Sequence, residues 1–191
     1  TGQFWMDEAI TTGIASHPLS EIPGLLRHDG SPPLFYLLLH FWIRIFGTGE
    51  AATHALPLLF GLLTIPAGMW AGWSLFGRRA GLMAAVLFAF SSWLTTYAQE
   101  TRMYELMALL GILATAAFIH AFVYRRRKYL IMFAICQALM LYTHAWGLFF
   151  AVGAIIALIP IWLITPSAER RPLIRDAVMA FVGAGILFLP W

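Results

Sequence analysis

Long apolar runs fill most of the chain from Ala51 to Trp191, and the charged residues of that region gather at their ends. A hydrocarbon core about 30 Å thick takes roughly 17 to 25 helical residues to cross, and it holds no water to satisfy an open backbone. Five runs meet that demand or come close to it: Ala51–Phe76, Ala80–Tyr97, Met103–Tyr124, Tyr129–His144 and Trp146–Thr165. A sixth, Ala177–Trp191, reaches the end of the chain. Only 11% of the residues are charged, against about a quarter in soluble domains, which excludes a soluble globular fold. The expected fold class is therefore an all-α polytopic membrane protein of about six spans, with residues 1–50 as a first loop and 51–191 as a transmembrane helix bundle.

Leu34–Phe46 is apolar but short, thirteen residues or about 20 Å of helix, less than a full crossing. Tyr36, His40 and Arg44 recur every four residues and so share one face, with Leu, Phe and Trp on the other. That pattern predicts an amphipathic juxtamembrane helix rather than a span. With this helix kept out of the spans, Arg78-Arg79, Arg125-Arg126-Arg127-Lys128 and Arg170-Arg171-Arg175 fall on one side, nine of the 12 basic residues. Asp7, Glu8, Glu21, Asp29, Glu50, Glu100 and Glu105, seven of the 9 acidic residues, fall on the other. The positive-inside rule makes the basic side cytoplasmic and the acidic side extracytoplasmic. Trp and Tyr residues near the span ends, among them Trp70, Trp73, Trp93, Tyr97 and Trp146, fit the two interfaces. Gly68 and Gly72, four apart, allow a neighbouring helix to approach closely.

In the first loop, Ser20 is placed to cap a short helix with Glu21 and Pro23 in its first turn, and Asp29-Gly30 ends it. Ser31-Pro32-Pro33 then forces an extended entry into Leu34–Phe46. Cys136, the only cysteine, rules out a disulfide framework and reads as a small buried hydrophobe. The scattered His17, His28, His40, His54 and His144 fit no standard metal spacing. No nucleic-acid partner is expected. The chain opens at Thr1 without a leader pattern and ends on an apolar run, so it is expected to be a fragment of a longer protein.

Three patches on the acidic side carry candidate chemistry: Asp7-Glu8, the run Tyr97–Tyr104, and Tyr142-Thr143-His144. Ionisable groups at membrane depth are expensive and therefore candidates for function. Asp7 has two readings, a helix N-cap ahead of Glu8-Ala9-Ile10-Thr11 or a catalytic base. Glu8 points elsewhere on the same helix, so Asp7 is the favoured base. Glu100 and Arg102 read either as an ion pair at the mouth of two spans or as a phosphate site, for which the Arg fork is well matched. His144 reads first as a structural hydrogen-bonding group.

Taken in order, Phe4-Trp5-Met6-Asp7-Glu8-Ala9, His28-Asp29-Gly30-Ser31-Pro32-Pro33 with the following Leu34–His40, Ala98-Gln99-Glu100-Thr101-Arg102-Met103-Tyr104 and Tyr142-Thr143-His144 resemble the motifs of bacterial membrane glycosyltransferases. These are related to the dolichyl-phosphate-mannose protein mannosyltransferases. The resemblance runs over nearly the whole chain, although Ser31 stands where relatives often carry His or Lys. It implies a C-type glycosyltransferase fold in a bacterial plasma membrane, with the site on the extracytoplasmic side. It further implies a polyprenyl-phosphate-linked sugar donor and a protein, lipid or glycan acceptor. By the same resemblance Asp7 is the general base of an inverting transfer and Glu8 its support. Glu100, Arg102, Tyr104 and His144 would line the donor and phosphate site. No cofactor is implied, and a divalent metal is left open. The alternative class is a membrane transporter or lipid flippase, which would place ionisable groups near span centres and interrupt the helices.

Overall fold

A computed structural model describes residues 6–191, so Phe4 and Trp5 lie outside the described residues. Among the described residues the chain is helical throughout, without a strand. Three helices form the first loop: α1 (Met6–Ser16), α2 (Ile22–Asp29) and α3 (Leu34–Phe46). Next come α4 (Glu50–Phe76), α5 (Arg78–Ala89), α6 (Ser92–Tyr97) and α7 (Tyr104–Phe118), which runs on into a π turn at Ile119–Val123. The remainder is α8 (Lys128–Thr143), α9 (Trp146–Ile164) and α10 (Ser167–Phe188).

Three of these are long and apolar enough to cross a membrane: α4, α7 with its π turn, and α9. The other expected spans differ in detail. Ala80–Tyr97 is interrupted, because α5 stops at Ala89 and Ser91, in extended geometry, accepts a hydrogen bond from the Leu94 N–H and starts α6. Its apolar composition concealed a helix cap. The helix at Lys128–Thr143 is short for a span. α10 begins at Ser167, well before Ala177, and carries Arg170, Arg171, Arg175 and Asp176 in its first half.

The loop helices start and stop close to the positions expected. Gly30 ends α2 in the left-handed conformation (φ 78°), its N–H bonding to the Leu26 carbonyl. Glu21, not Ser20, occupies the cap position, and its side chain makes no cap bond. In α3 the expected polar and apolar faces are mixed: Phe35, Leu39 and Ile43 are buried along with two of the polar residues, and Arg44 is exposed. Tyr36 and His40 are buried, with His40 Nδ1 2.8 Å from the Ala15 carbonyl of α1, while Leu38, Phe41 and Ile45 are exposed. Tyr36 and His40 thus pack onto the other loop helices, where α1 supplies His40 with an acceptor that lipid would not. Trp191 joins Ile22, Leu26 and Tyr36 in the same cluster.

Two buried clusters hold the bundle together. Phe35, Leu39, Leu56, Leu106, Leu110 and Met140 join α3, α4, α7 and α8, with Cys136 buried among them. Phe118, Phe122, Phe133, Leu173 and Ala180 join the far part of α7 to α8 and α10. Conversely, α9 exposes Phe149, Val152, Ile156, Ile159 and Leu163, and α5 exposes Met83, Val86 and Leu87. A water-facing monomer rarely shows so continuous an apolar surface.

Interhelix bonds determine which ends lie together. Tyr124 donates to the Leu75 carbonyl, and Arg127 forks onto Asp176, so the chain around Arg78-Arg79, Arg125–Lys128 and Arg170–Arg175 gathers at one end. At the other, Tyr142 donates to the Leu187 carbonyl and Tyr104 lies beside His144.

The α4–α5 hairpin is packed backbone to backbone. A Cβ on Gly81 would lie 2.6 Å from the Met69 carbonyl oxygen and 2.9 Å from the Trp73 nitrogen, and one on Gly72 would lie 2.9 Å from the Ala80 oxygen. Gly68 leaves room for the Phe88 ring. Gly81→Ala is therefore expected to cost about 1–3 kcal/mol, as overpacking does, and to lower the thermal midpoint in detergent. Gly153→Ala, which meets nothing within 4 Å, is the control and should be neutral or stabilising.

Candidate functional site

Glu8 is the point from which the site is assembled. Its side chain is buried, accepts a 2.7 Å hydrogen bond from the Thr101 backbone N–H and lies 3.0 Å from His54 Nε2. One carboxylate thereby joins α1, the first turn of α4 and the 98–103 segment between α6 and α7. That segment is otherwise held by short turns, including Arg102 N–H to the Glu100 carbonyl at 2.7 Å.

Asp7 precedes Glu8 on α1 and faces outward. It lies inside the helix rather than at its cap, since Met6 is already helical. Its side chain is 71% exposed, and Oδ2 lies 3.4 Å from Arg102 Nη1. Arg102 is 19% exposed, and its Nη2 lies 3.4 Å from the Tyr104 hydroxyl. The same guanidinium sits 5.6 Å from the Tyr104 ring centre, within the range of a cation–π contact. Met6, Asp7, Glu8, Glu100, Arg102 and Tyr104 line one cavity of about 380 Å³.

The electrostatics follow from three carboxyl groups around one guanidinium. Burial raises the pKa of Glu100, and the neighbouring charges of Glu8 and Asp7 raise it further, against the opposing pull of Arg102. Glu100 thus keeps its proton to higher pH than a free glutamate. For Arg102, burial works to lower the pKa, but the Tyr104 hydroxyl and the Asp7 charge together carry it above the ordinary value. The guanidinium stays charged and is aimed into the cavity, the condition for gripping an anion.

Of the six residues singled out in the sequence, Asp7, Glu8, Glu100, Arg102 and Tyr104 converge here. His144 lies to one side, its ring 6.5 Å from that of Tyr104, and accepts from the Trp146 N–H. It does not line the cavity. Tyr97 stacks edge-on against Tyr104 at 5.0 Å, and Trp93 against Tyr97 at 4.7 Å, so an aromatic row flanks the site.

Two participants carried no sequence signal. His54 reaches Glu8 across 46 positions, a distance no local pattern reports. Glu105 is wholly buried in α7 beneath the site, with no hydrogen-bond partner for either oxygen among the described residues. It fits because residue 61 is glycine: a Cβ there would lie 3.1 Å from Glu105 Oε2. Among the described residues no group of three or more His, Cys, Asp or Glu side chains converges in a way that would hold a metal ion. No protein-family model, curated protein or solved structure matches the chain.

Proposed function

We propose that the chain carries the base and the donor-binding residues of a membrane glycosyltransferase that moves a sugar from a polyprenyl-phosphate-linked donor to an acceptor hydroxyl. The observation that carries this reading is one carboxylate, Asp7, and one well-buried guanidinium, Arg102, 3.4 Å apart at the wall of the same cavity. Sugar transfer from a lipid phosphate needs both: a base for the attacking hydroxyl and a cation for the departing phosphate. Asp7 takes the hydroxyl proton as the acceptor oxygen forms its bond to the anomeric carbon. The bond from that carbon to the phosphate oxygen breaks on the opposite face, its electron pair leaving with polyprenyl phosphate. The configuration inverts.

Arg102 faces the phosphate in this scheme, with Tyr104 steering the guanidinium and Glu100 lining the same cavity beside it. Glu8 acts by positioning the 98–103 segment. A C-type glycosyltransferase bundle of about six spans belongs to the same proposal. Under the positive-inside rule its Arg-rich end is cytoplasmic, which turns the cavity to the extracytoplasmic side of a bacterial plasma membrane.

The test is transfer from a labelled polyprenyl-phosphate sugar in membranes holding the full-length protein. Arg102→Ala is expected to raise the donor KM about 10- to 100-fold, the worth of a charge-assisted hydrogen bond, while moving the acceptor KM little. Equal loss for both substrates would reduce Arg102 to a structural ion pair. Glu105, wholly buried in the first turn of α7 with no hydrogen-bond partner among the described residues, favours a second reading, a transporter or lipid flippase, since ionisable groups inside a helix bundle mark many transport pathways. Vesicle uptake without sugar transfer would select it.

A further inference from the structure

A second cleft lies away from this site. It runs between α8 and α10, encloses about 790 Å³, and has Arg127 and Arg175 as its only charged lining residues. Small side chains make it: Ala134, Ala138 and Ala184 are buried together, and a Cβ on Gly183 would lie 3.8 Å from that of Ala134. Ile131 and Ile135 of α8 form one wall, Met179 and Ile186 of α10 the other.

Its two ends differ. Along α10 the lining extends from Arg175 to Leu187, which is about 18 Å of helix. Half of a hydrocarbon core about 30 Å thick is about 15 Å. The cleft is therefore one leaflet deep, with its charges at one end. There Arg127 forks onto Asp176 with bonds of 2.6 and 3.0 Å, and Arg175 Nε lies 3.7 Å from the same carboxylate. Hydrogen bonding from Arg127 holds the Asp176 carboxyl below the usual carboxylate range, and Arg125 also acts on it. Two guanidiniums thus meet one carboxylate, leaving a surplus of positive charge on side chains of Arg127 and Arg175 that are more than half exposed.

We propose that this cleft is a binding site for one anionic phospholipid of the leaflet on the Arg-rich side, its phosphate at Arg175 and Arg127 and an acyl chain along the valley between α8 and α10. Arginine is suited to a phosphate because its planar fork offers paired donors, and basic pockets between membrane helices select anionic headgroups. Asp176 is a positioning residue: it fixes the Arg127 fork at the mouth. A helix from elsewhere in the chain, or a second copy, would have no need of the charge surplus at one end.

The test uses the full-length protein in nanodiscs of equal phosphatidylglycerol and phosphatidylcholine, with a photoreactive amino acid at Ile135, which lines the cleft and is exposed. The expected product is a phosphatidylglycerol adduct in excess over phosphatidylcholine. Arg175→Gln should reduce that excess about fivefold, the worth of one basic residue near an anionic surface. Gly183→Leu, which fills the valley without touching the charges, should reduce adducts of both lipids. Equal capture of the two lipids, an excess indifferent to Arg175→Gln, or a protein adduct in place of lipid would each overturn the proposal.

Discussion

Asp7→Asn is expected to remove sugar transfer, by about 10²- to 10⁴-fold for loss of a general base, without changing insertion or the thermal midpoint. The separation of the two readouts follows from exposure. Asp7 is 71% exposed and its ion pair with Arg102 is long, 3.4 Å, so its contribution to stability is that of a surface pair, about 0–1 kcal/mol. Asparagine keeps the shape and loses the proton acceptor. Transfer at near wild-type rate in this variant would exclude Asp7 as the base, and the cavity would then have to be read as a binding site only.

Glu8→Ala should behave in the opposite way. Removing a buried carboxylate leaves the Thr101 N–H without its acceptor and takes one contact from His54, for a cost of about 3 kcal/mol. Thermal unfolding in detergent should register the loss, and protease sensitivity should rise in the 98–103 segment. Activity is expected to fall as a consequence, because Arg102 and Tyr104 lie in or beside the released segment. If Glu8→Ala instead keeps its midpoint and loses turnover, Glu8 belongs to the chemistry and not to the scaffold. Neighbours on one helix would thus be told apart by two measurements.

Much of the fold could be read from local patterns. The bounds of α3 follow from Pro32-Pro33 before it and Gly47 after it, and all of its residues lie where the apolar run predicts. The Gly68 and Gly72 pair marks the close approach to α5. Local pattern fails where the determining partner is remote. The inward turn of His40 depends on the Ala15 carbonyl, that of Tyr36 on Ile22 and Leu26, and the role of Glu8 on Thr101, 93 positions away. Phe90 and Ser91 show a different limit: apolar composition hid a break that the cap at Ser91 creates. The candidate residues were legible as a set, but which of Asp7 and Glu8 is outward and which is buried was settled only by packing.

The Glu8–Thr101 bond also fixes an order of assembly. The α4–α5 hairpin joins residues close in the chain and can form as soon as it leaves the ribosome, whereas the cavity waits for a contact that closes a loop of 93 positions. In folding, the hairpin is therefore expected to precede the cavity, which alone needs the distant contact. An intermediate with the hairpin formed and the Glu8–Thr101 bond still open would hold its transmembrane packing and be unable to bind a charged ligand.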